Sequence, residues 1–148
     1  MNGPIDSFSE DYAFLSNFWT APLLAPFDGE TYPSLEHAYQ AAKTLNAAER
    51  AAIRTKLTPG QAKRAGRKVS LRSDWEQVRE AVMLELLRVK FGAEPLRSML
   101  LATGEAELVE GNLWHDLTWG RCSCLQHGGA GRNLLGQLLM TVRAESQK

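Results

Sequence analysis

The chain has no net charge: 17 Lys and Arg balance 17 Asp and Glu across 148 residues. That balance argues against a broad nucleic-acid footprint, which normally shows as a strongly basic domain. It has only two cysteines, Cys122 and Cys124, too few and too close together for a disulfide framework. It has no apolar run long enough to cross a bilayer. Its first residues, Met1 to Asp6, lack the basic and then apolar regions of a secretion signal, so the expected location is cytoplasmic. It has no internal repeat, linker or low-complexity tract. What remains, 44% hydrophobic and 23% charged residues, is ordinary for a globular protein. The length fits one domain over 1–148, with its core at about 7–143.

The stretch Tyr32 to Lys43 organises the rest. Ser34 is a good helix N-cap, because its hydroxyl accepts a free backbone N–H, and Pro33 stiffens the approach. Glu36 then falls in the first helical turn, where the positive helix end favours a carboxylate. The helical repeat places Glu36, Tyr39, Gln40 and Lys43 on one side and Leu35, Ala38, Ala42 and Leu45 on another. The second side reads as core, the first as the lining of a pocket.

Around it the chain reads as mainly α with a few short strands. Residues 7–20 form an irregular or short extended segment that turns Phe14, Leu15 and Phe18 inward. Residues 21–31, with Pro22, Pro26 and Asp28-Gly29, make a turn between short extended pieces. Helices are expected from the opening stretch to about Leu45 and over Ala47–Lys56. Thr58-Pro59-Gly60-Gln61 starts another, which runs to about Arg67 and is weakened by Gly66. Ser73-Asp74-Trp75-Glu76 opens the longest helix, which runs to about Phe91 with an apolar stripe of Trp75, Val78, Val82, Leu86 and Val89 that Met83 and Leu87 widen, so it is expected to be well buried. A helix follows Pro95 and stops at Thr103-Gly104. Residues 107–110 read as a short strand, 111–133 as a long loop, and 133–144 as the last helix. Long loops in small domains are commonly functional or mobile.

Two acids are candidates for chemistry. Glu36 is held by a helix, and Asp116 lies in the long loop between Trp114 and Trp119. A carboxylate pair suits glycosidic chemistry, where one carboxylate stabilises an oxocarbenium-like centre and the other handles protons. Each also has a structural reading: Glu36 bonds a helix end or Lys43, and Asp116 caps a turn. Trp75 and Trp119 offer indole faces for a base or sugar, with core packing the alternative for Trp75. Asn17, an amide among aromatics, is either a structural bridge or a ligand contact. The Gly128-Gly129-Ala130-Gly131-Arg132-Asn133 run leads into a helix N-terminus, a geometry that receives phosphate through backbone N–H groups. Residues 51–73 hold Arg54, Lys56, Lys63, Arg64, Arg67, Lys68 and Arg72 with no acid. Most of these read as a solvated face, with one or two available to hold a phosphate. His115 and His127 flank the cysteines, but the spacing is not a standard zinc pattern, so reduced cysteines that bind nothing are expected. A metal module at Cys122, Cys124 and His127 is the weaker alternative.

Several motifs in order resemble the NADAR (YbiA-like) family. They are Phe14 to Phe18, Ser34 to Lys43, Ala65-Gly66-Arg67 with Asp74-Trp75, Val82-Met83 with Lys90-Phe91, Leu108-Val109-Glu110 with Asp116 and Trp119-Gly120, and Gly131 to Met140. The match runs from about residue 7 to residue 143. After Trp119-Gly120 the family usually continues with a short glycine- and acid-rich loop, whereas this chain has Arg121 to His127. The resemblance implies a compact, mainly helical domain and N-glycosidase activity on ribosylated heterocycles, without cofactor or metal. The implied substrates are phosphorylated, ribosylated early riboflavin intermediates or ADP-ribosylated guanine in nucleic acid. No membrane or obligate protein partner is expected. The alternative is a non-catalytic module that binds ADP-ribose or a related nucleotide. Family functional positions fall on Asn17, Glu36, Arg67, Trp75, Asp116 and Trp119. The expected catalytic residues are Glu36, Asp116 and Trp75, with Glu36 the principal carboxylate because a helix holds it more rigidly than a loop holds Asp116. The expected substrate-binding residues are Asn17, Phe18, Tyr39, Lys43, Arg67, Trp119, Gly120 and Asn133, with Arg67 and Lys43 on phosphate.

Overall fold

The computed structural model describes residues 3–148. The chain divides into two units, Asn17–Lys90 and the stretch up to Ser16 together with Phe91–Lys148.

The 17–90 unit begins with a hairpin. Strands β1 (Thr20–Leu24) and β2 (Thr31–Ser34) pair antiparallel with an irregularity between Thr20 and Leu23. The turn between them carries Gly29 in the left-handed region, φ 73°. Asp28 anchors the turn by accepting from the Tyr32 hydroxyl at 2.6 Å. Burial and that acidic neighbour push the Tyr32 phenol well above its ordinary range. Strand β2 runs directly into helix α1 (Leu35–Ala42). Ser34 caps it as expected, accepting from the backbone N–H of His37 at 3.2 Å. The His37 ring is fully engaged, with Ser34 Oγ at 2.7 Å and the Lys56 carbonyl at 3.0 Å.

Helix α1 is the core of this unit. Helices α2 (Ala47–Arg54), α3 (Pro59–Gly66) and α4 (Trp75–Lys90) all pack on it. Every one of its residues is therefore buried, Glu36, His37 and Gln40 included. The two-sided pattern thus describes polarity but not exposure, and Leu45, expected in the core, is 68% exposed beyond the helix end. Thr58 caps α3 by accepting from the Gln61 N–H at 3.1 Å. Gly66 does more than weaken that helix: a Cβ there would collide with the Gln40 side chain, so the glycine lets α3 approach α1. Helix α4 starts and stops where expected, but its buried face is Trp75, Met83, Leu86, Leu87 and Lys90, with Val78, Val82 and Val89 at its margins. The Asp74 carboxylate pairs with Arg72 at 2.6 and 3.1 Å. Burial lowers the Lys90 ammonium to about 7.

The other unit begins with a 3-10 turn, Glu10–Leu15, which buries Phe14 and Leu15. Phe14 meets Phe91 edge to face, ring centroids 6.4 Å apart. The strand expected at 107–110 is a single parallel bridge between Ile5 and Leu108. Leu108 and Val109 are buried there, but the backbone takes only two bonds with Ile5. Helices α5 (Leu96–Leu101) and α6 (Leu134–Ser146) pack together, and α6 buries Leu134, Leu135, Leu138, Leu139 and Val142. The long loop between Glu110 and Asn133 is itself folded. Two-residue strands β3 (Gly111–Asn112) and β4 (Arg121–Cys122) pair parallel, and Cys122 bridges to Ala130. Among the described residues no helix is long and apolar enough to cross a membrane.

Candidate active site

The 17–90 unit gathers most of the expected residues around Glu36. Glu36, in the first turn of α1, is 6% exposed as a residue. Its Oε1 accepts from Gln40 Nε2 at 2.9 Å, one helical turn on. Its backbone N–H donates to the Asn17 carbonyl at 3.1 Å, which fixes the segment after Ser16 against the helix start. The Asn17 amide then donates to the Met83 sulfur at 3.6 Å. This leaves two orphans: Asn17 Oδ1 and Gln40 Oε1 are buried and, among the described residues, without a hydrogen-bond partner. Buried acceptors without donors are rare and costly, on the order of 1–3 kcal/mol each. Two beside one buried carboxylate make a set of acceptors suited to a ligand rich in O–H or N–H donors.

Cations stand close to the same carboxylate. Burial lowers the Lys43 ammonium, Glu36 opposes that shift, and Lys63 and Arg67 reinforce it. Lys43, Lys63 and Arg67 thus form a positive cluster that shares the field of Glu36. Arg67 itself is exposed, at the C-terminal cap of α3. Tyr39 and Trp75 pack against each other with centroids 5.1 Å apart at 59°, and Lys43 Nζ lies 5.9 Å from the Tyr39 ring. Trp75 is only 5% exposed, so in this conformation it packs as a core residue. Phe18, expected to face inward, is instead 44% exposed. It follows the turn at Asn17, where the bond to Glu36 directs the chain outward.

The expected residues of the other unit are arranged differently. Asp116 is half-buried, and its Oδ1 accepts from the backbone N–H groups of Thr118 at 3.1 Å and Trp119 at 2.9 Å. That is the turn-capping geometry, the structural alternative for this residue. Asn112 supports the turn from below, donating to the Asp116 carbonyl and accepting from its N–H. Trp119 is half-buried, and Gly120 is buried where a side chain would meet the Glu110 carbonyl. Asn133, left-handed at φ 53° before α6, has both ends of its amide engaged. It accepts from the Glu110 N–H at 2.9 Å and donates to the Leu108 carbonyl at 3.0 Å. The α6 N-terminus does not offer its N–H groups to an anion. Those of Arg132, Asn133, Leu134 and Leu135 donate to the carbonyls of Leu117, Gly120, Thr118 and Trp119. The glycine-run phosphate site is therefore corrected to a backbone clasp.

Sequence reasoning missed the role of Gln40 as an orphaned acceptor and the approach of Gly66 to it. The weaker alternative at Cys122, Cys124 and His127 does come together, and His115 joins it as a fourth member that the sequence reading left out.

The NADAR domain profile matches residues 6–146. The chain belongs to the NADAR family. Among NADAR relatives, it is 43% identical over 142 residues to N-glycosidase YbiA of Escherichia coli K12, covering 94% of this chain and 84% of that one. It is 37% identical over 142 residues to a riboflavin biosynthesis protein of Vibrio vulnificus, covering 94% of this chain and 37% of that one. The NMR structure of E. coli YbiA superposes with a TM-score of 0.79 at 40% identity, covering 98% of this chain and 86% of that one. The mainly helical NADAR fold expected from the sequence is thereby established for this chain.

Proposed function

We propose that this NADAR protein is an N-glycosidase that hydrolyses the bond between a phosphorylated ribose and a nitrogen heterocycle, with Glu36 as the principal catalytic carboxylate. The carrying observation is the buried Glu36 carboxylate flanked by the orphaned acceptors of Asn17 and Gln40. Ribose hydroxyls and the exocyclic amines of a base are the donors such a set recognises.

In the reaction the C1′–N bond breaks and its electron pair leaves with the base nitrogen, which takes a proton. The sugar becomes cationic at C1′. A carboxylate in a buried site stabilises that cation more strongly than one in water, because the low dielectric amplifies the attraction. Water then adds to C1′ and loses a proton, giving free base and ribose phosphate. The Gln40 N–H bond fixes the Glu36 oxygen before substrate arrives, so little reorganisation is needed. Lys43 and Arg67 hold the phosphate, and Tyr39 with Trp75 forms the apolar floor beside them. Asp116 is the second candidate carboxylate and Trp119 the second aromatic surface.

The relatives named for riboflavin biosynthesis favour an early, ribosylated riboflavin intermediate as the substrate. ADP-ribosylated guanine is the competing substrate. The deciding experiment incubates the protein with each in parallel and separates the products by chromatography. Release of the heterocycle from the riboflavin intermediate alone supports the first reading. Release of guanine reassigns the substrate. Tight binding of ADP-ribose with no base released from either sinks the enzymatic reading and leaves a nucleotide-binding module.

A further inference from the structure

The loop from Gly111 to Asn133 holds a group of side chains that glycosidic chemistry does not use. His115, Cys122, Cys124 and His127 each offer one donor atom, and all four atoms lie within 4.8 Å of one another. The nitrogen–nitrogen separation, His115 Nδ1 to His127 Nδ1, is 3.2 Å. The sulfur–nitrogen separations are 3.9 Å from Cys122 to His115, 3.5 Å from Cys124 to His115 and 3.1 Å from Cys124 to His127.

These values are four of the six edges that a tetrahedron of ligands would have, and the other two are no longer than 4.8 Å. With metal–sulfur bonds of ~2.3 Å and metal–nitrogen bonds of ~2.0–2.1 Å, tetrahedral coordination needs about 3.3 Å between two nitrogens and ~3.6 Å between nitrogen and sulfur. All four observed edges fall within about half an ångström of that requirement. Pairwise hydrogen bonding does not demand such mutual closeness, since each thiol and imidazole needs one neighbour and here all four donor atoms lie within 4.8 Å of one another.

The backbone holds this arrangement through bonds of its own. The Cys122 N–H donates to Ala130 and its carbonyl accepts from Gly129, at 2.8 and 2.7 Å. The Cys124 carbonyl accepts from His127 and Gly128 at 3.2 and 2.8 Å. His115 reaches the group from the far side of the loop with φ 68°, a conformation costly for a residue with a side chain. The two imidazoles meet edge to face with centroids 5.0 Å apart, and their Nδ1 atoms are the ring atoms that come within 3.2 Å of each other.

We propose that His115, Cys122, Cys124 and His127 bind one zinc ion as a closed, structural site. Two thiolates and two imidazoles in tetrahedral array select zinc over magnesium, calcium or manganese, which prefer oxygen ligands. Four protein ligands leave no open position for water or substrate, so the ion fastens the loop and does no chemistry. It ties residue 115, next to Asp116, to the 122–127 segment.

The test uses the full chain, purified reduced and without chelator. Elemental analysis is expected to give one zinc per chain. Titration with Co2+ is expected to give the visible d–d bands and sulfur-to-cobalt charge transfer of a tetrahedral thiolate site. Cys124→Ser and His115→Ala change residues that are not fully buried, so both variants are expected to keep the helical circular dichroism. Each is expected to weaken Zn2+ binding by about 100-fold or more in competition with a chromophoric chelator. A reduced protein that retains no zinc and gives no cobalt spectrum overturns the proposal. So does zinc binding of unchanged affinity in both variants, which would place the ion elsewhere.

Discussion

The turn of Glu36 and the turn of Asp116 each hold a carboxylate, yet their hydrogen-bond accounts differ. At Glu36 the backbone is satisfied but two neighbouring side-chain oxygens are not: among the described residues, Asn17 Oδ1 and Gln40 Oε1 are buried without donors. At Asp116 one carboxylate oxygen serves the turn itself, receiving two backbone N–H groups, and the nearby Asn133 amide and α6 N–H groups are likewise engaged. At the start of α1 the Asn17 backbone carbonyl and the Ser34 cap take up the free N–H groups of Glu36 and His37, so the Asn17 and Gln40 amide oxygens are left for a ligand. An irregular loop has no ladder and must recruit its polar side chains to hold its shape. Residue type therefore identifies both acids as candidates, and unmet hydrogen bonds separate them.

The sharpest way to break this comparison is to neutralise each acid in turn. Glu36→Gln keeps the size of the side chain and removes its charge. Base release is expected to fall by about 1000-fold or more, ~4 kcal/mol of lost transition-state stabilisation, with the melting temperature nearly unchanged. Near-normal turnover would end the assignment of Glu36 as principal carboxylate. Gly66→Ala attacks the same site from behind by driving a methyl group into Gln40. A loss of about 1–3 kcal/mol in denaturant unfolding is expected, together with reduced turnover as Gln40 shifts away from Glu36. If stability falls but turnover does not, the Gln40 bond is not part of the catalytic arrangement.

Asp116→Asn keeps the oxygen that caps the turn and removes the charge. A decrease of about 10-fold in kcat/KM is expected, with stability unchanged, whereas Asp116→Ala is expected to cost about 1 kcal/mol of stability as well. A drop for Asp116→Asn as large as that for Glu36→Gln would reverse the ranking of the two acids. The smallest expected effect concerns Lys90 in α4. Its folded pKa, about 7, lies below the ordinary 10.5, so the unfolded chain binds more protons between those values. Stability should therefore rise with pH from about 7 towards 10.5, as the buried amine sheds its charge. Lys90→Met is expected to flatten that rise and to increase the melting temperature at pH 6–7 by about 2–4 °C. Parallel pH profiles for the two proteins would show that Lys90 is not its source.

What was legible in the sequence was local. Ser34 and Thr58 signal their helices because each cap is a bond between residues three apart. Glu36 stood out because residue type and helix position are both visible in one window. Its neighbourhood was not legible, since Asn17, Gln40, Gly66 and Met83 meet only through the packing of α1 with α3 and α4. The apolar face of α4 was legible, Met83 and Leu87 included, but the valines Val78, Val82 and Val89 lie only at its margins and the packing buries Lys90 as well, which no apolar pattern signals. The strand expected at 107–110 has the right composition, but a single bridge to Ile5 is all the pairing it finds. The cysteine–histidine group was ranked as the weaker alternative because its spacing fits no familiar zinc pattern, and its fourth member, His115, is brought to it only by the fold of the loop.

The pinch between Cys122 and Ala130 has a consequence for how this loop changes over time. With its base closed by two backbone bonds, the segment from residue 123 to residue 129 is a closed excursion. Ser123 is also held, by its N–H on the Asn112 carbonyl, but beyond it, among the described residues, the backbone of residues 124–129 bonds only within the excursion and to its base at Cys122 and Ala130. Each doubling of such a loop costs only about 0.6 kcal/mol of closure entropy. The excursion is thus an exchangeable cassette, open to gaining or losing an ion-binding pair while the Asp116 turn and the clasp on α6 stay in place.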